Sequence, residues 1–244
     1  MVIDRIAPTR RPHGPAKGYQ RWRTLLFLHW SFPAEVVQKL LPAGLTVDTW
    51  DGRAWIGVVP FTMREVHPRG LPAVSFVSDF HELNVRTYVH VDGRDPGVWF
   101  FSLEAAKALP VRIARRFWHL PYHRAEMSLE QGGDEVAYSS ERLWPEPIPA
   151  KFRARWRVGE NLGHAAPDTF EHFLAERYLL YAQTPSGLFT GQVHHTPYPL
   201  HRAELLELEQ DMLSPAGLPR AEGSPHALAS SGVDVEVFAL RRVR

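Results

Sequence analysis

The fold is decided by the stretch LTVDTWDGRAWIGVVPFTMR, residues 45–64, in which Asp51 and Gly52 separate two apolar runs. An Asp-Gly pair readily supplies the two positive φ angles of a two-residue turn between antiparallel strands. The stretch therefore predicts a β-hairpin with strands at 45–50 and 53–64.

Turn signals of the same kind recur along the chain and predict a protein rich in strands. They lie at 92–97 (DGRDPG), at Gly132-Gly133 and at 184–187 (TPSG), and each separates two apolar stretches. The further predicted strands are 24–32, 74–91, 98–103, 122–130, 135–143, 177–183, 188–195 and 233–240. Strands joined by hairpins favour an α+β fold with a large antiparallel β-sheet curled into a barrel or cone.

Four helices are predicted between these strands. One starts at Pro33 and ends before Pro42, and a second covers 104–117 with a kink at Pro110. A third opens at Asp168, which has the spacing of an N-cap with Glu171 three residues on. The fourth covers 201–213.

The chain shows no internal repeat and no clear linker, so we expect one domain over 21–244. Residues 1–20 carry an excess of basic side chains and are predicted to be a flexible leader, with a docking arm as the alternative. The alternating stretch from Lys151 to Val158 predicts a strand with a basic face in water and an apolar face in the core.

Composition restricts the function classes. The 244 residues include no cysteine, and 28 basic side chains nearly balance 27 acidic ones. We therefore expect no disulfide or thiolate site, and neither nucleic acid nor membrane as a partner. No signal peptide and no apolar run of about 20 residues is present, which favours a cytoplasmic protein.

Sequence motifs for cofactors and metals are also missing. The common glycine-rich nucleotide loops and the HExxH zinc motif do not occur, so no cofactor is expected. His194 and His195 are adjacent and would point to opposite faces of a strand. Pro121 argues against a helix that would align His119 with His123. We expect no metal site.

Several segments together resemble a known family. They are 26–45 (LFLHW…LLPAGL), 80–89 (FHELNVRTYV), 114–127 (ARRFWHLPYHRAEM), 173–181 (FLAERYLLY) and 195–200 (HTPYPL). The chain resembles the YqjF-like family of unknown function, which is grouped with the acetoacetate-decarboxylase-like superfamily. The resemblance implies a single-domain, cone-like antiparallel β-barrel with flanking helices and an interior pocket.

The resemblance also implies that the decarboxylase reaction is lost. Acetoacetate decarboxylases have a lysine that forms a Schiff base with the keto acid, and the positions of their lysine pair are Tyr122 and His123 here. Arg115 matches the arginine of their motif, and Glu82 matches the glutamate that faces the substrate. Neither a phenol nor an imidazole can form the imine, so we expect no acetoacetate decarboxylase activity.

Strand periodicity then proposes which side chains remain in the pocket. Glu82, Asn84, Arg86 and Tyr88 would share one face of a strand, with Arg86 or Arg115 as the counter-charge of a buried Glu82. Water on that face and a purely structural ion pair are the alternatives. Only one of Tyr122 and His123 can enter the pocket if their segment is a strand, and the sequence leaves both options open.

We therefore expect a pocket protein that binds a small organic acid or a hydrophobic metabolite. The alternative is an enzyme that acts on a small carbonyl or carboxylic acid compound by acid/base chemistry without an imine. The expected site residues are Glu82 and His123 as catalytic groups and Asn84, Arg86, Arg115 and Tyr122 as substrate-binding groups. The sequence leaves open whether the chain forms a homo-oligomer.

Overall fold

The computed structural model describes residues 3–113, 115–116, 119–145 and 149–243. Sheet dominates these ranges. The strands are β1 (Gly18–Pro33), β2 (Thr46–Val47), β3 (Thr49–Trp50), β4 (Arg53–Pro68), β5 (Phe80–Val91), β6 (Arg94–Ala105), β7 (Tyr122–Gly132), β8 (Glu135–Trp144), β9 (Lys151–Gly163), β10 (Leu179–Thr184), β11 (Gly187–His194), β12 (Leu200–Gln210), β13 (His226–Val237) and β14 (Arg241–Arg242). The helices are α1 (Ala34–Gln38), α2 (Ser75–Ser78), α3 (Ala108–Ile113) and α4 (Phe170–Ala175).

All the strands belong to one mixed sheet that curls into rings. The order β6-β7-β8-β9-β12-β13-β1-β4-β5 returns to β6 and closes the larger ring. The order β6-β10-β11-β13-β1-β4-β5 closes a smaller ring that shares five strands with the first. Two pairings are parallel, β6 with β7 and β6 with β10, and the others are antiparallel. The expected α+β fold with a curled sheet is confirmed.

Strand β5, which the two rings share, is buried on both faces. Along β5, Leu83 and Val85 pack in the core of the larger ring, together with Trp156 of β9. Phe80 and the even-numbered positions after it face the other way, toward a second apolar core that contains Phe27 and Tyr122. A polar side chain on that face is therefore removed from water by the smaller ring.

The predicted hairpin turns are present. Asp51 and Gly52 have φ angles of 50° and 73°, and Asp92 and Gly93 have 48° and 76°, as a tight turn between antiparallel strands requires. Gly132-Gly133 and 184–187 likewise join β7 to β8 and β10 to β11. The basic side chains of the 151–158 stretch lie outside, and Phe152, Ala154 and Trp156 lie in the core as predicted.

The predicted helix over 201–213 is wrong, because these residues form β12. Their composition favours a helix, but cross-strand pairing with β9 decides the conformation. Glu204 lies opposite Arg157 and Glu207 lies opposite Arg155, and both pairs form ion pairs. Charge complementarity between the two strands is a long-range property that local propensity does not report.

The second predicted helix is shorter than expected. Glu104 and Ala105 end β6, and α3 covers only Ala108–Ile113, with Pro110 in its first turn, where the backbone N–H has no intrahelical partner. Phe117, the predicted end of this helix, lies outside the described residues. Residues 74–79, which we assigned to a strand, contain α2 instead. In α4 the N-cap is Thr169 rather than Asp168.

The N-terminal segment predicted as a leader contacts the domain at several points. Arg5 forms an ion pair with the buried Asp48, and Arg11 forms one with Glu236. Pro8 and Ala16 are buried. These contacts lay residues 5–16 along the outside of the smaller ring, beside β11 and β13.

Candidate functional site

The candidate site is a polar face on β5. Glu82, Asn84 and Arg86 alternate with apolar residues and point toward the smaller ring, and all three are buried. Burying polar groups is costly unless they are hydrogen-bonded or bind a ligand. Each of these three side chains therefore needs a hydrogen-bond partner or a ligand.

The hydrogen-bond partner of the Glu82 carboxyl group is a tyrosine. The hydroxyl of Tyr122 donates a hydrogen bond of 2.9 Å to Oε2 of Glu82. β7 runs parallel to β6, so that Tyr122 lies beside Leu103 and points to the same face. Burial raises the pKa of Glu82 to about 8, opposed by the hydrogen bond from Tyr122 and reinforced by the nearby Glu104 carboxylate. Glu82 is therefore mainly protonated at neutral pH.

The prediction that Arg86 or Arg115 forms an ion pair with Glu82 is wrong. Arg115 donates to the backbone carbonyl of Tyr122 at 2.7 Å, and its guanidinium lies 5.9 Å from the centre of the Trp144 ring. Arg86 lies four residues further along β5 and donates to the carbonyl of Leu174. A carboxyl group with a raised pKa needs no cationic partner, because burying its neutral form costs far less free energy than burying a carboxylate.

Between the two alternatives left open by the sequence, Tyr122 meets Glu82 and His123 does not. His123 lies beside Glu104 on the opposite face of the sheet. There Glu104 is buried and forms an ion pair with Arg142. Burial, and then the nearby Arg142 and Arg115 cations, lower the pKa of His123 to about 4. His123 is thus neutral at physiological pH, and it lies near Arg115 but on the opposite face of the sheet from Glu82, Asn84 and Arg86.

Polar and aromatic side chains surround Arg86, and together with it they form what we call the Arg86 cluster: Phe27, Asn84, Arg86, His195 and Tyr198. Phe27 lies under the Arg86 guanidinium at 5.7 Å and against the Tyr198 ring at 5.3 Å. His195 packs 4.8 Å from the Tyr198 ring. The Arg86 charge contributes to the lowered pKa of His195, after burial and the neighbouring histidine. These contacts bring β1, β5 and the 195–198 segment together.

Arg86 differs from the other buried arginines. Arg177 pairs with Asp48 at 2.9 Å, and Arg142 pairs with Glu104. Among the described residues Arg86 forms no ion pair, and its Nε has no hydrogen-bond partner. The cluster therefore holds a buried cation whose charge no described carboxylate neutralises.

The two histidines near Arg86 present acceptors rather than donors. Nδ1 of His195 lies 2.7 Å from the carbonyl oxygen of Thr196 and must donate to it, so Nε2 carries the lone pair. Tyr88 donates to the carbonyl of Leu174, so His29 Nε2 is the donor to the Tyr88 oxygen. Within the described chain the remaining nitrogens, Nε2 of His195 and Nδ1 of His29, have no partner, and neither has Oδ1 of Asn84.

Comparison with known proteins assigns the family. The model of the DUF2071 proteins, described as uncharacterized conserved proteins, matches residues 19–234. The chain belongs to the DUF2071 family. An uncharacterized protein named YqjF from Bacillus subtilis (strain 168) is 36% identical to this DUF2071 protein over 224 residues, which cover 91% of each chain. The resemblance seen in the sequence is confirmed.

Solved structures similar to this DUF2071 protein share the acetoacetate-decarboxylase-like fold. An acetoacetate decarboxylase-like enzyme from Sphingomonas wittichii RW1 is 14% identical with a TM-score of 0.64, covering 95% of this chain and 94% of that one. Acetoacetate decarboxylase from Legionella pneumophila is 14% identical with a TM-score of 0.64, covering 97% and 92%. The enduracididine biosynthesis enzyme MppR, in complex with pyruvate, is 11% identical with a TM-score of 0.62, covering 95% and 92%.

The four lysines of the DUF2071 protein lie away from the β5 face. Lys17, Lys39 and Lys151 are exposed, and Lys107 donates to the carbonyls of Ser75 and Phe76. No group of three or more potential metal ligands occurs among the described residues, and no described helix is long and apolar enough to cross a membrane.

Sequence reasoning missed part of the site. Tyr198, Phe27 and His29 were not singled out, and His195 was considered as a strand residue that cannot share a metal ion with His194. The periodicity of β1 could have identified Phe27 and His29, because these residues alternate with the core positions Leu26 and Leu28. Strand periodicity does not mark His195 and Tyr198, although both lie in the 195–200 segment of the resemblance, and they reach Arg86 through the closure of the smaller ring.

Proposed function

We propose that this protein binds a small organic acid at the Arg86 cluster. The observation that carries the proposal is the buried Arg86 guanidinium without an anionic partner among the described residues. An isolated charge in a low-dielectric interior is strongly disfavoured, and a ligand carboxylate would supply the missing charge and accept its hydrogen bonds. The proposal includes a cytoplasmic location for this ligand-binding protein.

The polar groups beside Arg86 define the rest of the ligand. The free lone pairs of His195 Nε2 and Asn84 Oδ1 accept hydrogen bonds. A hydroxyl group next to the ligand carboxylate would satisfy one of them. The aromatic rings of Phe27 and Tyr198 offer apolar contact for a short carbon skeleton. The arrangement therefore favours a small hydroxy acid over a plain fatty acid.

The test compares two acids of the same skeleton, lactate and pyruvate, by calorimetric titration. Lactate should bind the wild-type protein more tightly, because only lactate has a hydroxyl that donates to a lone pair. Arg86→Met should abolish binding of both acids, while Arg153→Gln, at an exposed position on β9, should leave it unchanged.

Stability measurements distinguish a ligand-binding role of Arg86 from a role in stabilising the fold. Arg86→Met should leave the free energy of unfolding unchanged or raise it, since it removes an uncompensated buried charge. A large loss of stability with intact binding of lactate would contradict the proposal. Mass spectrometry of acids that co-purify with the native protein identifies the natural ligand.

A second candidate function is acid/base catalysis on a small carbonyl compound at Glu82. The observation that favours it is the buried Glu82 carboxyl group, whose pKa of about 8 suits proton transfer near neutral pH. The ionised form would take a proton from the carbon next to a carbonyl group, and the resulting acid would return it. Exchange of the pyruvate methyl protons in D₂O, followed by NMR, tests this step. The exchange should rise with pH up to about 8 and be lost in Glu82→Gln; exchange that persists in this variant would contradict it.

A further inference from the structure

A groove lies on the surface beside α3, away from the Arg86 cluster. Its volume is about 580 Å³, which is within the range of small-molecule sites. We call it the α3 groove and define it by its apolar walls and its basic rim: Phe76, Leu109 and Trp144, with Lys107, Arg112 and Arg124.

The walls of the groove are unusually apolar for a surface. Phe76 is 84% exposed, Leu109 is 53% exposed and Trp144 is 46% exposed. The other large hydrophobic residues that are exposed in the described chain, Leu71, Val74 and Leu143, lie on the same segments. Contiguous exposed apolar surface of this kind marks a binding site.

The rim of the groove is positively charged. Several surface arginines of this protein pair with a carboxylate, as Arg155 and Arg157 do on β9. Arg112 and Arg124, in contrast, form no ion pair with a described residue, and Lys107 donates only to backbone carbonyls. An occupant that fits both features carries a negative charge and an apolar body.

The groove walls are held in place by two neighbouring basic side chains, Lys107 and Arg115. Lys107 ties the start of α3 to the carbonyls of Ser75 and Phe76, and its ammonium group lies 5.5 Å from the centre of the Phe76 ring. Arg115 packs against Trp144 and donates to the backbone of Tyr122. The Phe76 wall is thus held by hydrogen bonds and the Trp144 wall by its contact with Arg115 before any ligand binds, which reduces the entropic cost of binding.

We propose that the α3 groove binds a single-chain amphiphilic anion, with an apolar tail along Phe76, Leu109 and Trp144 and its acidic head at Arg112 and Arg124. A second copy of this chain fits poorly, because a symmetric contact through this face would bring together the Arg112 and Arg124 cations of both copies, which have no carboxylate partner among the described residues. The site is independent of the Arg86 cluster, which lies in the interior against β1 and the 195–198 segment.

The experiment is calorimetric titration of the full-length protein with decanoate below its micellar concentration, with decyl maltoside and butyrate as comparisons. Decanoate should bind, and the uncharged detergent and the short acid should bind at least tenfold more weakly. Arg112→Gln/Arg124→Gln should weaken decanoate binding about tenfold, and Leu109→Ser should weaken it as well. Arg94→Gln/Arg153→Gln, at two exposed positions away from the groove, is the matched control and should bind decanoate normally.

The remaining outcomes decide against the proposal. Equal affinity for decanoate and decyl maltoside, or normal binding by Arg112→Gln/Arg124→Gln, would exclude a charge-specific site. Loss of decanoate binding in Arg86→Met would move the ligand to the interior. A dimer in sedimentation velocity that Leu109→Ser dissociates and decanoate leaves intact would make a second copy the occupant.

Discussion

The hydroxyl of Tyr122 on β7 donates a hydrogen bond of 2.9 Å to the Glu82 carboxyl group on β5. Both residues are buried, and the backbone carbonyl of Glu82 also accepts a hydrogen bond of 2.9 Å from Tyr138. The Glu82 side chain is therefore fixed in position and solvated by a phenol rather than by an ion. A neutral carboxyl group is the form that this environment prefers.

The first prediction concerns stability as a function of pH. The folded state holds the Glu82 proton up to about pH 8, while an unfolded chain releases it near the ordinary glutamate value of 4.5. Between these values the folded state binds more protons, so the free energy of unfolding should fall as pH rises, by roughly 1.4 kcal/mol per pH unit from this group.

Glu82→Gln removes this dependence and keeps an acceptor for Tyr122. Urea unfolding at pH 5, 6, 7 and 8 should show a shallower decline in the variant than in the wild-type protein. Glu126→Gln, an exposed glutamate on β7, is the control and should follow the wild-type curve. Parallel curves for Glu82→Gln and the wild type would mean that Glu82 is ionised in the fold.

The second prediction has the opposite sign and concerns His195. Burial, opposed by the hydrogen bond to Thr196, lowers the pKa of His195 to about 4, whereas an unfolded histidine titrates near 6.5. Between pH 6.5 and 4 the unfolded state binds the extra proton, so acidification should destabilise the fold by roughly 1.4 kcal/mol per pH unit from this residue.

His195→Asn keeps a donor for the Thr196 carbonyl and removes the titration. The difference in unfolding free energy between this variant and the wild type should shrink as pH falls from 6.5 to 4.5. His13→Asn, at an exposed position of the N-terminal segment, should not alter the pH dependence. A constant difference across this range would indicate that His195 is charged when folded.

The third prediction is the absence of imine chemistry. The resemblance of the 114–127 segment implies that Tyr122 and His123 replace the decarboxylase lysine pair, and no lysine is buried among the described residues. Incubation with acetoacetate and borohydride should leave the intact mass of the protein unchanged. A stable adduct that peptide mapping assigns to a single lysine would contradict this prediction.

The fourth prediction is that folding needs no metal ion. His119 and His123 do not lie on one helix, and His194 and His195 alternate at the end of β11. Treatment with a chelator should therefore leave the melting temperature unchanged within error. A large drop that added zinc reverses would show that histidines of this chain form a metal site.

The sequence predicted the hairpins because their determinants are local. Asp51-Gly52 and Asp92-Gly93 carry the turn conformation in two residues, and the alternation along β9 carries its two faces. It failed at β12, whose conformation depends on Arg155 and Arg157 some fifty residues earlier. Elements that are specified by a distant partner are the ones that local reasoning misassigns.

The same distinction applies to the candidate site. Strand periodicity placed Glu82, Asn84 and Arg86 on one face correctly, because it depends only on the backbone of β5. It could not assign their partners, since those come from α4, β7 and the 195–198 segment. The prediction of a Glu82–arginine pair was wrong for this reason. The raised pKa of Glu82 keeps its buried carboxyl group neutral, and Tyr122 donates a hydrogen bond to it.

The last prediction uses the contrast between two buried arginines. Arg177 is paired with Asp48, which also accepts hydrogen bonds from Arg5, and Asp48 is inaccessible to solvent. Asp48→Asn would leave Arg177 buried without its counter-ion, and breaking a buried pair on one side costs about 3–5 kcal/mol. We expect the free energy of unfolding to fall by that amount in urea titrations.

The matched measurement is Arg86→Met, which removes a buried cation that has no described carboxylate partner. It should lose no stability, although both arginines lie beside the Tyr88 ring and are similarly buried. Equal and large losses in Asp48→Asn and Arg86→Met would mean that Arg86 stabilises the fold as Arg177 does. A stable Arg86→Met protein would instead indicate that the fold tolerates this charge for the sake of an anionic ligand.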